Sequence, residues 1–137
     1  MKAAYLGPPG TFSEEALIAS TALAGGEVTA VPTETVPDVV MAVQEGTAER
    51  GLVPIESAGE GSVDATLDTL TERAPDVTII GEVVMPVRHA LIAAPGMTIE
   101  DIKVVASHEQ ALAQCSQFLR SELPDARTVS WTSTAEA

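Results

Sequence analysis

The stretch KAAYLGPPGTFSEEALIASTALAGG, residues 2–26, decides the fold. It opens with a short apolar run, Ala3 to Leu6, breaks at Gly7-Pro8-Pro9-Gly10, and resumes at Phe12 with apolar residues at helical spacing as far as Leu23. An apolar run ended by Gly and Pro reads as a strand and its exit loop; a helix-period segment just behind Thr11 reads as a capped helix, closed by Gly25-Gly26. The same unit recurs downstream. Val28 to Val31 precedes the helical Val36 to Val43, and Leu52 to Ile55 precedes Val63 to Leu70. Thr35 followed by Pro37 marks the second helix start and Gly46 its stop. Successive βα units predict an α/β fold with a mostly parallel sheet flanked by helices.

From Val77 the pattern changes. The stretch TIIGEVVMPVRHALIAAPG, residues 78–96, is long and apolar, with Pro86 near its middle. It reads as a crossover strand with a break rather than a central strand, because Pro removes a ladder donor. A second lobe therefore begins here, which divides the chain into 1–76 and 77–137. A short helix at Ile99 to Ile102, a strand at Lys103 to Ala106, a helix at Glu109 to Leu123 and a strand at Arg127 to Trp131 continue the alternation. Thr132 to Ala137 reads as the cap and first turn of a further helix, with Ser133 and Glu136 at capping-box spacing. The expectation is a helix that the 137 residues begin and do not complete.

Composition narrows the function. Hydrophobic residues make up 45% of the chain and charged residues 20%, enough apolar material for a packed core. Aromatic residues are only 3%, so Val, Ile, Leu and Ala must fill that core, and a base-stacking surface is not expected. The formal net charge of −13 repels nucleic acid and anionic membranes, and neither is an expected partner. An anionic ligand would have to be held by local backbone dipoles and a few positioned donors. A lone cysteine, Cys115, forms no internal disulfide and fits a reducing cytoplasm. The apolar run at the N-terminus is too short for a secretory core, and no stretch reaches membrane-spanning length.

Three strand-to-helix junctions share one design, small residues followed by Ser or Thr and then a helix start: residues 7–14, residues 54–62 and residues 106–110. Such junctions turn free N–H groups and a positive dipole end toward the mouth of the sheet, where ligands of open α/β folds gather. Simple capping explains any one of them equally well, since Thr11 with Glu14 and Ser107 with Gln110 have capping-box spacing, and Gly10 and Gly61 suit positive backbone angles. The three together favour an anion site. His108 falls in a helix first turn and His89 in the extended stretch; for either, a hydrogen-bonded structural role is the commoner one. Glu56 and Glu60 offer a carboxylate pair for acid–base work, although surface solvation or strand-end capping is commoner. No Cys/His cluster has metal-ligand spacing, and Gly7 to Gly10 lacks the third glycine of a dinucleotide fingerprint.

At these loops the sequence resembles the prephenate dehydratase family. YLGPPGTFSEEA at Tyr5 to Ala16 is similar to its opening motif, VPIESAGEGSVDATLDTL at Val53 to Leu70 to its second, and SHEQALAQC at Ser107 to Cys115 with STAEA at Ser133 to Ala137 to later ones. The resemblance implies a two-lobed fold like that of periplasmic binding proteins, a substrate cleft between the lobes, and decarboxylative dehydration of prephenate to phenylpyruvate in L-phenylalanine biosynthesis. It implies no cofactor and a small-molecule substrate; from the residues no metal and a cytoplasmic location are expected, and a homo-oligomer is expected as well. Substrate contacts are expected at Thr11, Phe12, Glu56, Ser57, Gly61, Ser62, Ser107, His108 and Gln110.

Two departures from the family pattern matter. Ser57 and Ala58 stand where Asn and Ser are usual, which removes an amide and a hydroxyl, and Glu109 replaces the usual Pro. The resemblance implies that the Thr-Arg-Phe segment the family uses for catalysis is to be expected beyond Ala137, so no catalytic residue is assigned and the 137 residues alone are expected to be inactive. The altered loop motivates a rival, a prephenate decarboxylase that leaves the ring non-aromatic. The fold motivates another, a non-catalytic small-anion binding module.

Overall fold

A computed structural model describes residues 1–24, 27–57 and 61–134. The chain divides into two compact units, Met1–Met85 and Pro86–Ala137.

The first unit is built on β1 (Lys2–Leu6), with β2 (Thr29–Thr33) and β3 (Arg50–Leu52) parallel to it on either side. A strand buried on both faces needs side chains that pack in both directions, and β1 has them. Ala3 and Tyr5 pack with Leu17 of α1 (Phe12–Ala24), while Ala4 packs with Val39 of α2 (Val36–Gln44) and with Ala48. The two helices therefore cover opposite faces of the sheet. β2 is an exposed edge strand, where Pro32 costs no ladder bond. The start of α2 is as expected: the Thr35 hydroxyl accepts from the Asp38 N–H at 3.3 Å, and the Asp38 carboxylate accepts from the Thr35 N–H at 3.2 Å. Gly46, at φ +71°, ends that turn.

Beyond β3 the structure departs from the simple strand–loop–helix reading. The expected strand Leu52 to Ile55 stops at Leu52, and a small antiparallel hairpin follows, β4 (Glu56–Ser57) and β5 (Gly61–Ser62). Helix α3 (Asp64–Glu72) starts only after it. Its buried face carries Thr66 and Thr69, whose hydroxyls are satisfied by the carbonyls of Pro54 and Ala65, each at 2.6 Å. The Thr66 bond fastens the hairpin's entry to the helix.

Residues 77–98 form no regular element, so the predicted crossover strand is absent among the described residues. An extended segment forms a ladder only beside another strand, and no strand among the described residues pairs with this one. Its apolar side chains are correspondingly open: Ile79, Ile80, Val84 and Ile92 are each more than 70% exposed.

The second unit contains a 3-10 turn at Ile99–Asp101, the parallel pair β6 (Val104–His108) and β7 (Arg127–Trp131), and helices α4 (Glu109–Gln114) and α5 (Ser116–Glu122). The sequence predicts one helix from Glu109 to Leu123; two are found. Cys115, at φ −88° and ψ 3°, leaves the helical range between them, while its N–H and C=O still bond Ala111 and Leu119.

Candidate functional site

The turn after β1 is shaped by two glycines and one carboxylate. Gly7 lies against β2: its N–H donates to the Thr33 carbonyl at 2.9 Å, and a Cβ there would stand 3.0 Å from Pro32 Cβ and 3.2 Å from the Thr33 oxygen. The Gly7–Pro8 peptide is cis. Gly10, at φ +87°, adopts the left-handed conformation that glycine takes without a steric cost. The Thr11 hydroxyl donates to the Leu6 carbonyl at 3.2 Å and accepts from the Glu14 N–H at 3.4 Å. The expected capping box is thus only half formed. Glu14 does reach back, but to the Gly10 N–H, at 2.6 Å, rather than to that of Thr11. Its second oxygen accepts from the Tyr5 hydroxyl at 3.0 Å. Tyr5 is 1% exposed, and burial, reinforced by the hydrogen bond and the negative charge of Glu14, pushes its phenol above the usual 10.0.

The second expected loop is the β4–β5 hairpin. Glu56 pairs with Ser62 and Ser57 with Gly61, and Gly61 turns at φ +82°. The Ser62 hydroxyl donates to Asp64 at 3.1 Å, so it is already engaged at the foot of α3. That helix has Val63 at its cap position and no capping side chain, contrary to the Ser/Thr-capped start that the sequence suggests. Ala58 and Glu60 fall outside the described residues, and the Glu56–Glu60 pair with them. The turns after β1 and β3 follow neighbouring parallel strands, so both leave the same edge of the first unit's sheet.

In the second unit β6 runs into α4 without a loop. The cap is His108 and not Ser107: His108 Nδ1 accepts from the Gln110 N–H at 3.3 Å, which places the proton of the neutral ring on Nε2. Ser107 stays within the strand, opposite Ser130. His89 Nε2 lies 2.9 Å from the Gln114 side-chain oxygen, in keeping with the structural role that is commoner for a lone histidine.

None of the seven Lys and Arg residues lies in the three segments, so what the segments themselves offer an anion is N–H and hydroxyl donors. Among the described residues no three His, Cys, Asp or Glu side chains come together as metal ligands, and no helix is long and apolar enough to cross a membrane. Sequence reasoning missed Tyr5. Its signal was the two-residue alternation of β1, which points Ala3 and Tyr5 to the same buried face.

The family profile described as prephenate dehydratase matches residues 3–137. The chain belongs to the prephenate dehydratase family. A prephenate dehydratase of Amycolatopsis methanolica is 41% identical over 134 residues, covering 98% of this chain and 42% of its own length. The solved prephenate dehydratase of Arthrobacter aurescens, in complex with L-Phe, superposes with a TM-score of 0.85 at 37% identity, over 99% of this chain and 44% of its own. A protein described as GqqA, a novel type of quorum quenching acylase, superposes with a TM-score of 0.78 at 26% identity, over 99% of this chain and 47% of its own. The chain thus spans less than half the length of these prephenate dehydratase relatives.

Proposed function

We propose that the protein carrying this chain is a lyase that converts prephenate to phenylpyruvate in L-phenylalanine biosynthesis. In that reaction the ring carboxylate leaves as carbon dioxide, its bonding electrons move into the ring, and the ring hydroxyl departs with a proton as water. An enzyme for it needs donors that hold two carboxylates and an acid that assists the hydroxyl. Thr11, Phe12, Glu56, Ser57, Gly61, Ser62, Ser107, His108 and Gln110 are the proposed substrate contacts. Because Thr11 and Ser62 already bond Leu6, Glu14 and Asp64, their hydroxyls fit acceptance or shared bonds better than unaided donation. Backbone N–H groups are then the natural holders of the carboxylates. We further propose a cytoplasmic homo-oligomer.

The observation that carries this reading is the family match over residues 3–137. Incubation of the protein at its full natural length with prephenate tests it, with phenylpyruvate as the expected product. The altered Ser57–Ala58 pair supports one rival, a decarboxylase, which would release carbon dioxide and leave a non-aromatic ring. Tight binding of prephenate without any product would favour a binding module instead.

A further inference from the structure

We propose that Glu14 and Tyr5 act together as positioning residues for the Gly10–Thr11 turn. This rests on the reading that Thr11 and Phe12 contact prephenate, and adds how those contacts are held. The Glu14 carboxylate joins three parts of the fold: the buried strand β1 through the Tyr5 hydroxyl, the left-handed turn through the Gly10 N–H, and α1, on which it sits. Tyr5 is fixed in the core against Ala3 and Leu17, so its hydroxyl is a stationary donor. A carboxylate with one oxygen on a stationary donor has little freedom to turn, and its other oxygen then fixes Gly10. The Thr11 hydroxyl, bonded to Leu6 and to the Glu14 N–H, completes the same closed set.

Charge gives the arrangement a second consequence. An unbound carboxylate beside a site for a dianion would repel it and would be free to move into it. Here both oxygens are taken by donors and turned toward the protein, near the positive end of α1. Tyr5→Phe keeps the packed ring but releases one oxygen, whereas Glu14→Gln keeps the shape but offers only one accepting atom for two donors.

The test compares the full natural protein with Tyr5→Phe, Glu14→Gln and the double variant. Prephenate kinetics should show KM raised about fivefold to tenfold with kcat within about twofold, since a lost positioning contact acts on binding. The double variant should be no worse than the worse single one, because the two side chains act as one unit. The Gly10 amide resonance should move in both single variants, and the Tyr5 phenol should titrate lower in Glu14→Gln; a merely structural role would leave the KM effect out. Thermal melts identify a variant that does not fold, in which case Glu14→Asp, with a carboxylate drawn back from both donors, replaces it. Unchanged Gly10 and Tyr5 signals would overturn the pair. Changed signals with unchanged KM would overturn its positioning role. A parent protein that neither binds nor converts prephenate would overturn that role too, but through the functional reading, as its own Gly10 and Tyr5 signals would reveal.

Discussion

Gly7 shows how one missing side chain lets two elements meet. A Cβ there would press on a ring atom of Pro32 and on the Thr33 carbonyl oxygen, and that oxygen already accepts the Gly7 N–H. A backbone atom cannot swing aside as a side chain does. Gly7→Ala should therefore destabilise the protein by about 1–3 kcal/mol, the usual effect of overpacking, read as a lower midpoint of urea unfolding at unchanged slope. An unchanged midpoint would show that the edge strand β2 yields freely. Ser57 and Ala58 lead to a second prediction. If the site is a weakened dehydratase, Ser57→Asn with Ala58→Ser in the full natural protein should raise kcat/KM about tenfold, because one hydrogen bond to a charged carboxylate contributes about 1.5–3 kcal/mol. Lower activity on restoration, with a non-aromatic product from the parent, would replace the dehydratase reading with the decarboxylase one. The strand position of Tyr5 was legible from the alternation of β1, but its hydrogen bond was not. Spacing in sequence brings Thr11 and Glu14 together, and only the bend at Gly10 turns the carboxylate toward Tyr5.

At the scale of elements, β1, the first two helices and β7 were read correctly, whereas the crossover strand, the hairpin and the break in the helix after β6 were not. β1 is an apolar run with Ala3, Ala4 and Tyr5 buried, and α1 and α2 carry apolar residues at helical spacing, with Leu17 buried on one and Val36, Val39 and Val40 on the other. The hairpin β4–β5 has two residues in each strand, too few to display a period, and the helix after β6 breaks at Cys115 where no Gly or Pro announces it. The turn at Ile99–Asp101, expected as a short helix at Ile99 to Ile102, is held by its capping residues. Asp101 accepts from the Thr98 N–H at 2.9 Å and from the Thr98 hydroxyl at 3.1 Å. The backbone bond first, and the hydroxyl second, hold its carboxyl below the ordinary 3.8. A carboxyl with a lowered folded value stabilises the fold above its unfolded value, and that contribution is lost as pH falls through the folded one. The carboxyl carbon resonance of Asp101 should accordingly titrate below 3.8, and Thr98→Ala should return it part of the way, since the backbone donor stays. No change on that substitution would remove the hydroxyl from the account.

At the scale of the whole molecule, the two units differ in what each buries. The first has a three-stranded sheet covered by helices on both faces, with Ala3, Ala4, Tyr5, Leu17, Val39 and Val40 among its buried residues. The second has a two-stranded sheet, and among its described hydrophobic residues only Ala111 and Leu123 are buried. Two strands with so small a core are marginal on their own, because apolar burial must outweigh the chain entropy of ordering them. The sequence happens to carry a separate probe in each unit, its one Tyr at Tyr5 and its one Trp at Trp131. Heating the 137-residue chain while following both should therefore give transitions that do not coincide, with Trp131 changing first and Tyr5 later. Two-state behaviour of the whole chain predicts the opposite, a single midpoint for both probes. Superimposable curves would mean that the second unit draws its stability from the first, and the difference in buried core would then carry no thermal consequence. If the curves separate, adding prephenate should move only the transition of a unit that binds it on its own, since a ligand stabilises the state that holds it.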